Sequence, residues 1–215
     1  MAERIAIIDY GSGNLRSVEK AFERAAREAG VAAQMTVTDS ASDVTDADRI
    51  VLPGVGAFAA CKSGLAALPG VIEALEHAVL IERKPFLGIC VGMQLLATRG
   101  LEFGETAGLG WIAGEVKRLD PADPSLRVPH MGWNAATPTA PHPVFDVLED
   151  GRDVYFVHSY YFDTENEHDR IAVCQYGKPF TAAVARDNIL GVQFHPEKSQ
   201  AAGLALIRAF LKWTP

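Results

Sequence analysis

Two hydrophobic spacings divide the chain. Arg4 to Asp9 (RIAIID) is a β-branched apolar run that ends in the turn Tyr10-Gly11-Ser12-Gly13. Leu15, Val18, Phe22, Ala25 and Ala29 then recur at helical spacing, and Gly30 stands where a helix C-terminal glycine belongs. Met35 to Thr38 reads as a second strand and Arg49 to Leu52 (RIVL) as a third, stopped by Pro53-Gly54. Two helical stretches follow, Ala57 to Leu68 and Val71 to Glu82. Pro85 opens a buried strand, Phe86 to Ile89, and Met93 to Thr98 continues as a helix closed by Gly100. Repeated β-α-β units predict an α/β fold, a mainly parallel open sheet flanked by helices.

Past Gly104 the texture changes to short apolar segments between Gly, Pro and Asp turns. These are Trp111 to Leu119, Val154 to Phe162, Ile171 to Tyr176, Thr181 to Arg186 and Leu190 to Phe194. They predict an added antiparallel β segment, and an amphipathic helix over Ala201 to Lys212 closes the chain. No internal repeat, low-complexity tract or linker interrupts the 215 residues, so the expectation is a single domain over 1–215.

Composition then limits the chemistry. With 48% hydrophobic and 22% charged residues the chain reads as an ordinary soluble globular protein. A net charge of −7 without a Lys/Arg block argues against nucleic acid or a membrane surface as partner. The opening MAERIAIIDYG carries charge at once and reads as a first strand, not a signal peptide. Three cysteines do not make a disulfide framework, and the expectation is a cytoplasmic protein with reduced thiols.

Cys61, on a helical pattern among small residues, and Cys174, in the apolar run IAVCQY, read as core residues. Cys90 differs. It lies in Gly88-Ile89-Cys90-Val91-Gly92, between a buried strand and a helix, which is the G-x-nucleophile-x-G elbow pattern with cysteine for serine. Glycines two residues to either side remove β-carbons that would meet neighbouring backbone. A helix starting at Val91 would favour thiolate, and the Val91 N–H is placed for an oxyanion. By itself the motif leaves open a structural cysteine on a Gly-rich turn.

A thiol nucleophile needs a base, and the base an orienting group. Of six histidines, His77 and His168 fall on solvated patterns and His142 lies between prolines. His195 ends the run Leu190 to Phe194 and is followed by Pro196 and Glu197, which places both side chains at the C-terminal edge of the sheet, where ligands bind in open α/β folds. A carboxylate two residues on can fix the imidazole tautomer. A helix-capping turn is the alternative for His-Pro-Glu in isolation. No Cys or His pair has zinc-ligand spacing, and neither a metal nor a cofactor is expected. Gly54-Val55-Gly56-Ala57-Phe58-Ala59 fits a dinucleotide fingerprint, but Pro53 breaks the turn and Glu73 falls in a helical run instead of ending a strand.

GICVGMQLL at 88–96, with GVQFHPE at 191–197, resembles the class I (triad-type) glutamine amidotransferases over essentially the whole chain. The resemblance implies a flavodoxin-like fold and a glutaminase with Cys90 as nucleophile, His195 as base and acid, and Glu197 as its orienter. It also implies an oxyanion hole from Val55, Gly56 and Val91, and a glutamine pocket lined by Gln94, His158, Ser159 and Tyr160. The single departure is Val91, where leucine is more usual. IIDYGSGNLRSV at 7–18, LPGVGAF at 52–58, VPHMGWN at 128–134, YFVHSYY at 155–161 and FHPEKSQ at 194–200 resemble the branch that serves histidine biosynthesis. There, ammonia passes by a shielded path to a cyclase subunit of (β/α)8 barrel fold that makes imidazole glycerol phosphate. Asn14, His130, Trp133, Tyr155 and Lys198 are then the candidates for the interface or its gate. The alternatives are a glutaminase serving an anthranilate or aminodeoxychorismate type of synthase, or a catalytically silent scaffold.

Overall fold

The computed structural model describes residues 2–148 and 152–215. Its first part runs β1 (Glu3–Ile8), α1 (Leu15–Ala29), β2 (Ala33–Thr38), α2 (Ala41–Asp46), β3 (Arg49–Gly54), α3 (Phe58–Ala66), α4 (Val71–Glu76), β4 (Phe86–Cys90) and α5 (Val91–Gln94). Short strands follow: β5 (Arg99–Gly100), β6 (Thr106–Ala107), β7 (Gly114–Arg118), β8 (His130–Ala135) and β9 (Thr137–Pro138). Longer ones succeed them: β10 (Asp153–His158), β11 (Tyr160–Thr164), β12 (Arg170–Tyr176), β13 (Lys178–Arg186) and β14 (Ile189–Val192), before α6 (Gln200–Lys212).

Eight strands form the main sheet in the order β2-β1-β3-β4-β14-β13-β12-β9. The first five are parallel and the last three alternate in direction. With β14 in fifth place, the parallel part has the flavodoxin-like strand order. β3, β4 and β14 are buried at every position, as expected of parallel strands covered on both faces. α1 turns Val18, Phe22, Ala25 and Ala26 inward, and Phe22 meets Phe210 of α6 edge to face at 6.3 Å. Two smaller sheets, β10-β8 and β11-β7-β5-β6, carry the remaining strands.

The sheet departs from the sequence reading in five places. β3 runs through Pro53 and Gly54 instead of stopping before them. Gly54 stands in register with Cys90, and the Pro53 carbonyl accepts from the Tyr10 hydroxyl at 2.6 Å. The helix expected over Met93 to Thr98 is absent. α5 ends at Gln94, because the carbonyls of Leu95, Leu96 and Ala97 accept from Leu109, Ile112 and Gly110 of a crossing loop rather than from the next helical turn. The segment Val154 to Phe162 breaks at Ser159 into β10 and β11, in different sheets. The stretch Val71 to Glu82 becomes α4 and a π-helical turn over His77–Ile81. Finally, β14 is antiparallel to β13 but parallel to β4, so it belongs as much to the parallel sheet as to the added segment. β8, within VPHMGWN, and α2 had no periodic signal.

Candidate active site

β4 delivers Cys90 to the C-terminal edge of the sheet with φ 54° and ψ −111°. That is a strained backbone for a residue with a β-carbon, held because the chain must turn at once from strand to helix. The flanking glycines are sterically required. A β-carbon on Gly88 would lie 2.7 Å from the Gly92 carbonyl oxygen, and one on Gly92 only 1.7 Å from that of Leu52. Gly54 is as tight, at 2.4 Å from the Tyr10 hydroxyl and 2.8 Å from the Gly92 nitrogen. β3, β4 and the elbow are therefore packed backbone against backbone. α5, however, has four residues, too few for a substantial macrodipole, so the thiolate argument from a long helix does not carry over. What remains is local: the first-turn N–H of Val91 has no acceptor within the helix.

The neighbouring strand brings the second half. His195 lies three residues past β14, its N–H donating to the Tyr155 carbonyl at 2.9 Å. The His195 carbonyl accepts from the buried Ser199 hydroxyl at 2.7 Å, and that oxygen accepts from the Tyr155 N–H at 2.9 Å. The turn is thus tied to β10 on both sides. His195 Nδ1 donates to Glu197 Oε1 at 2.8 Å, with both side chains at most 3% exposed. His195 Nε2 is buried with no hydrogen-bond partner among the described residues. Burial opposes protonation of His195, but the facing Cys90 thiol and the Glu197 carboxylate more than offset it and hold its pKa up at about 10. The pair is therefore arranged to favour the imidazolium form of His195, set directly against the Cys90 sulfur. The other two thiols are buried and pushed up by burial, Cys174 to about 12.

Cys90 and His195 open into a cavity of about 500 Å³ at the sheet edge. Asn14, Val55, Gly56, Val91, Gln94, His158, Ser159, Tyr160 and Lys198 also line it. Most residues expected for the site therefore converge, though not all in the expected posture. The Val55 N–H donates to Ser12 Oγ at 3.3 Å, and the Val55 carbonyl accepts from Ser12 Oγ and from the Cys61 thiol. In this geometry the Val55 N–H is engaged by Ser12. Gln94 is buried and its amide nitrogen donates to the Tyr160 carbonyl at 2.9 Å and to Gln193 Oε1 at 3.0 Å.

The residues proposed for an interface divide. Trp133 and Tyr155 pair across β8 and β10 with ring centroids 5.9 Å apart, and Trp133 is 47% exposed. The Lys198 ammonium lies over the Tyr155 ring at 5.8 Å. Met131, two residues before Trp133, is 63% exposed. His130 is instead buried, so it cannot present itself to a partner. Its Nδ1 sits 3.1 Å from His158 Nε2, its ring against Phe156, Tyr176 and Phe180. Three site residues were not among those expected from the sequence. Gln193 donates through Nε2 to Cys90 Sγ at 3.6 Å. Glu102 lines the cavity while one of its oxygens accepts from the Phe58 N–H. Ser12 holds the Val55 peptide. Only Gln193 could have been singled out, as the buried polar residue in an apolar strand.

Comparison with known proteins identifies the family. A family model described as "Glutamine amidotransferase class-I" matches residues 6–213. Proteins named "Imidazole glycerol phosphate synthase subunit HisH" are similar over nearly the full length. That of Brucella suis biovar 1 (strain 1330) is 58% identical and that of Rhizobium meliloti (strain 1021) 59%, each match covering 99% of this chain and 100% of the relative. A crystal structure titled "glutamine amidotransferase" superposes with a TM-score of 0.68 at 18% identity, covering 96% of this chain and 97% of that one. One of a glutamine amidotransferase from Thermotoga maritima gives 0.59 at 18%, covering 92% and 77%. At those identities the two structures speak for the fold alone. With the elbow cysteine, the buried His–Glu pair and the full-length relatives in one chain, the protein belongs to the class-I glutamine amidotransferases, in the family of the HisH subunits.

Proposed function

We propose that this chain hydrolyses glutamine at Cys90 and delivers the ammonia to a cyclase subunit of (β/α)8 barrel fold, which builds imidazole glycerol phosphate. The observation that carries the chemistry is the unpartnered, buried Nε2 of His195, facing the Cys90 thiol while Nδ1 is held by Glu197. In this reading the Cys90 thiolate attacks the side-chain carbonyl carbon of glutamine. The oxyanion is held by the Val91 N–H, with Val55 and Gly56 able to add donors once the Val55 peptide leaves Ser12. The tetrahedral intermediate collapses as the His195 imidazolium gives its proton to the leaving nitrogen, so ammonia departs and a γ-glutamyl thioester remains. Water then attacks the thioester, His195 takes its proton, and glutamate leaves with the thiolate restored. Gln94, His158, Ser159 and Tyr160 bound the pocket for the amino acid, and the Glu102 carboxylate offers a partner to its ammonium group.

Delivery to a partner is supported by the surface beside the cavity. Asn14, Lys198, Trp133 and Tyr155 lie at or next to its mouth, with exposed Met131 on the same strand as Trp133. An apolar and aromatic edge rimmed by a lysine suits a stable protein interface. Ammonia released into water would be protonated and lost as a nucleophile, so an enclosed route across this edge is required.

The test is made on the complex. Cys90→Ala paired with the cyclase should lose glutamine-dependent product formation by at least about 1000-fold, yet keep synthesis from added ammonium. Glutamine hydrolysis by that variant would overturn the chemistry. Equal glutaminase rates with and without the cyclase would overturn the coupling.

A further inference from the structure

We infer that Gln193 is a catalytic residue, an amide donor that hydrogen-bonds the Cys90 sulfur and stabilises its thiolate, with Gln94 fixing the direction of that amide. The inference rests on the reading of Cys90 as nucleophile. Gln193 follows β14 directly, where Val192 pairs in register with Ile89, so its side chain falls beside Cys90 on the neighbouring strand. It is fully buried. A buried amide there must be hydrogen-bonded, and its two ends are distinguishable by their partners.

The direction of the amide follows from a fixed point. The Tyr160 carbonyl can only accept, so the Gln94 atom 2.9 Å from it is the amide nitrogen. The same nitrogen lies 3.0 Å from one end of the Gln193 amide and must donate there as well, which makes that end the Gln193 oxygen. The opposite end, 3.6 Å from Cys90 Sγ, is therefore the NH₂ group. An N–H aimed at sulfur favours the anion, because hydrogen bonds to a charged acceptor are stronger than those to the neutral form. His195 supplies the charge on one side of the sulfur, and Gln193 an uncharged donor on the other. That donor costs no proton at any stage, so it serves the thiolate both before attack and when the thioester is broken.

The experiment measures the thiol independently of glutamine turnover. Iodoacetamide alkylation of Cys90 is followed against pH in the full chain, with peptide mass spectrometry confirming the site. Gln193→Met conserves volume and removes the donor. Its alkylation profile should move to higher pH by about one unit, and the rate near pH 7 should fall about tenfold. A profile matching that of the wild type, with native near-ultraviolet dichroism, overturns the inference. Should Gln193→Met fail to fold, wild-type protein decides. The Gln193 side-chain NH₂ resonances should move with Cys90 titration and stay still in Cys90→Ala, and their immobility in the wild type overturns the inference equally. A normal Cys90 alkylation profile in wild-type protein that does not hydrolyse glutamine even with the cyclase bound would instead count against the glutaminase reading alone.

Discussion

His195 has one ring nitrogen committed and one in reserve, and Glu197 makes that division. The carboxylate holds Nδ1–H at 2.8 Å with both side chains buried, so Nε2 is left toward Cys90. Replacing the carboxylate with an amide keeps the size but removes the charge that supports the imidazolium. Glu197→Gln should therefore lower kcat for glutamine by roughly 100- to 10,000-fold with little change in KM. Glu197 is also one of the two groups that raise the pKa of His195 above its ordinary value. Without it the His195 proton is lost at lower pH, and the fall in residual activity on the alkaline side should begin earlier. Steady-state rates between pH 6 and 10 check both expectations. Cys90, His195 and Glu197 were legible as residue types in local patterns. Ser12 and Glu102 were not, since a serine in a turn and a glutamate in a loop carry no periodic or spacing signal; Gln193 stood out only as a polar residue in an apolar run, with nothing local to tie it to Cys90.

At the scale of elements, the site depends on how closely β3, the end of β4 and α5 approach. The Leu52 carbonyl sits where a Gly92 β-carbon would be, and both belong to backbone that cannot rotate away. Gly92→Ala should cost about 3 kcal/mol of stability or more, read by denaturant unfolding, and should reduce activity in whatever protein remains folded. The glycine spacing announces this turn in the sequence, because only the absence of side chains permits it. The helix expected to follow fails for the opposite reason. Leu95, Leu96 and Ala97 are all buried, and a wholly apolar run does not reveal whether its carbonyls will meet the next helical turn or a crossing loop. Pro53 reads as a strand end, but its missing N–H costs nothing where its carbonyl takes the Tyr10 hydroxyl and Gly54 continues the pairing.

For the whole molecule, the packing of the β10-β8 ribbon on the main sheet buries a pair of histidines beneath the proposed docking face. Burial lowers the pKa of His130 to about 4 and that of His158 to about 3, the latter partly offset by the Tyr160 carbonyl that accepts from its Nδ1. The folded chain thus keeps both rings neutral at pH values where the unfolded chain has already taken up their protons, near pH 6.5. Their contribution is complete above about pH 6.5 and is lost as the pH falls toward 4. Tm should decline between pH 7 and pH 5, and decline less steeply in His130→Phe, which removes one of the two groups. Differential scanning calorimetry across that range decides it. His130 shows how tertiary packing reassigns a residue: VPHMGWN suggests an interface as a block, and alternation along β8 sends Met131 and Trp133 outward and His130 in.

By itself the sequence determined the alternation of strand and helix in the first half, the elbow with its two glycines, and the His-Pro-Glu turn. Each is a local steric or spacing demand that neighbouring residues express whatever the rest of the chain does. Only the tertiary structure decided that β14 crosses back to lie parallel to β4, over a hundred residues away in the chain. That single pairing places Gln193 beside Cys90, turns His195 toward the sulfur and closes the cavity. Strand partners of such separation are chosen by the burial of the whole sheet, and no short stretch of sequence contains that information.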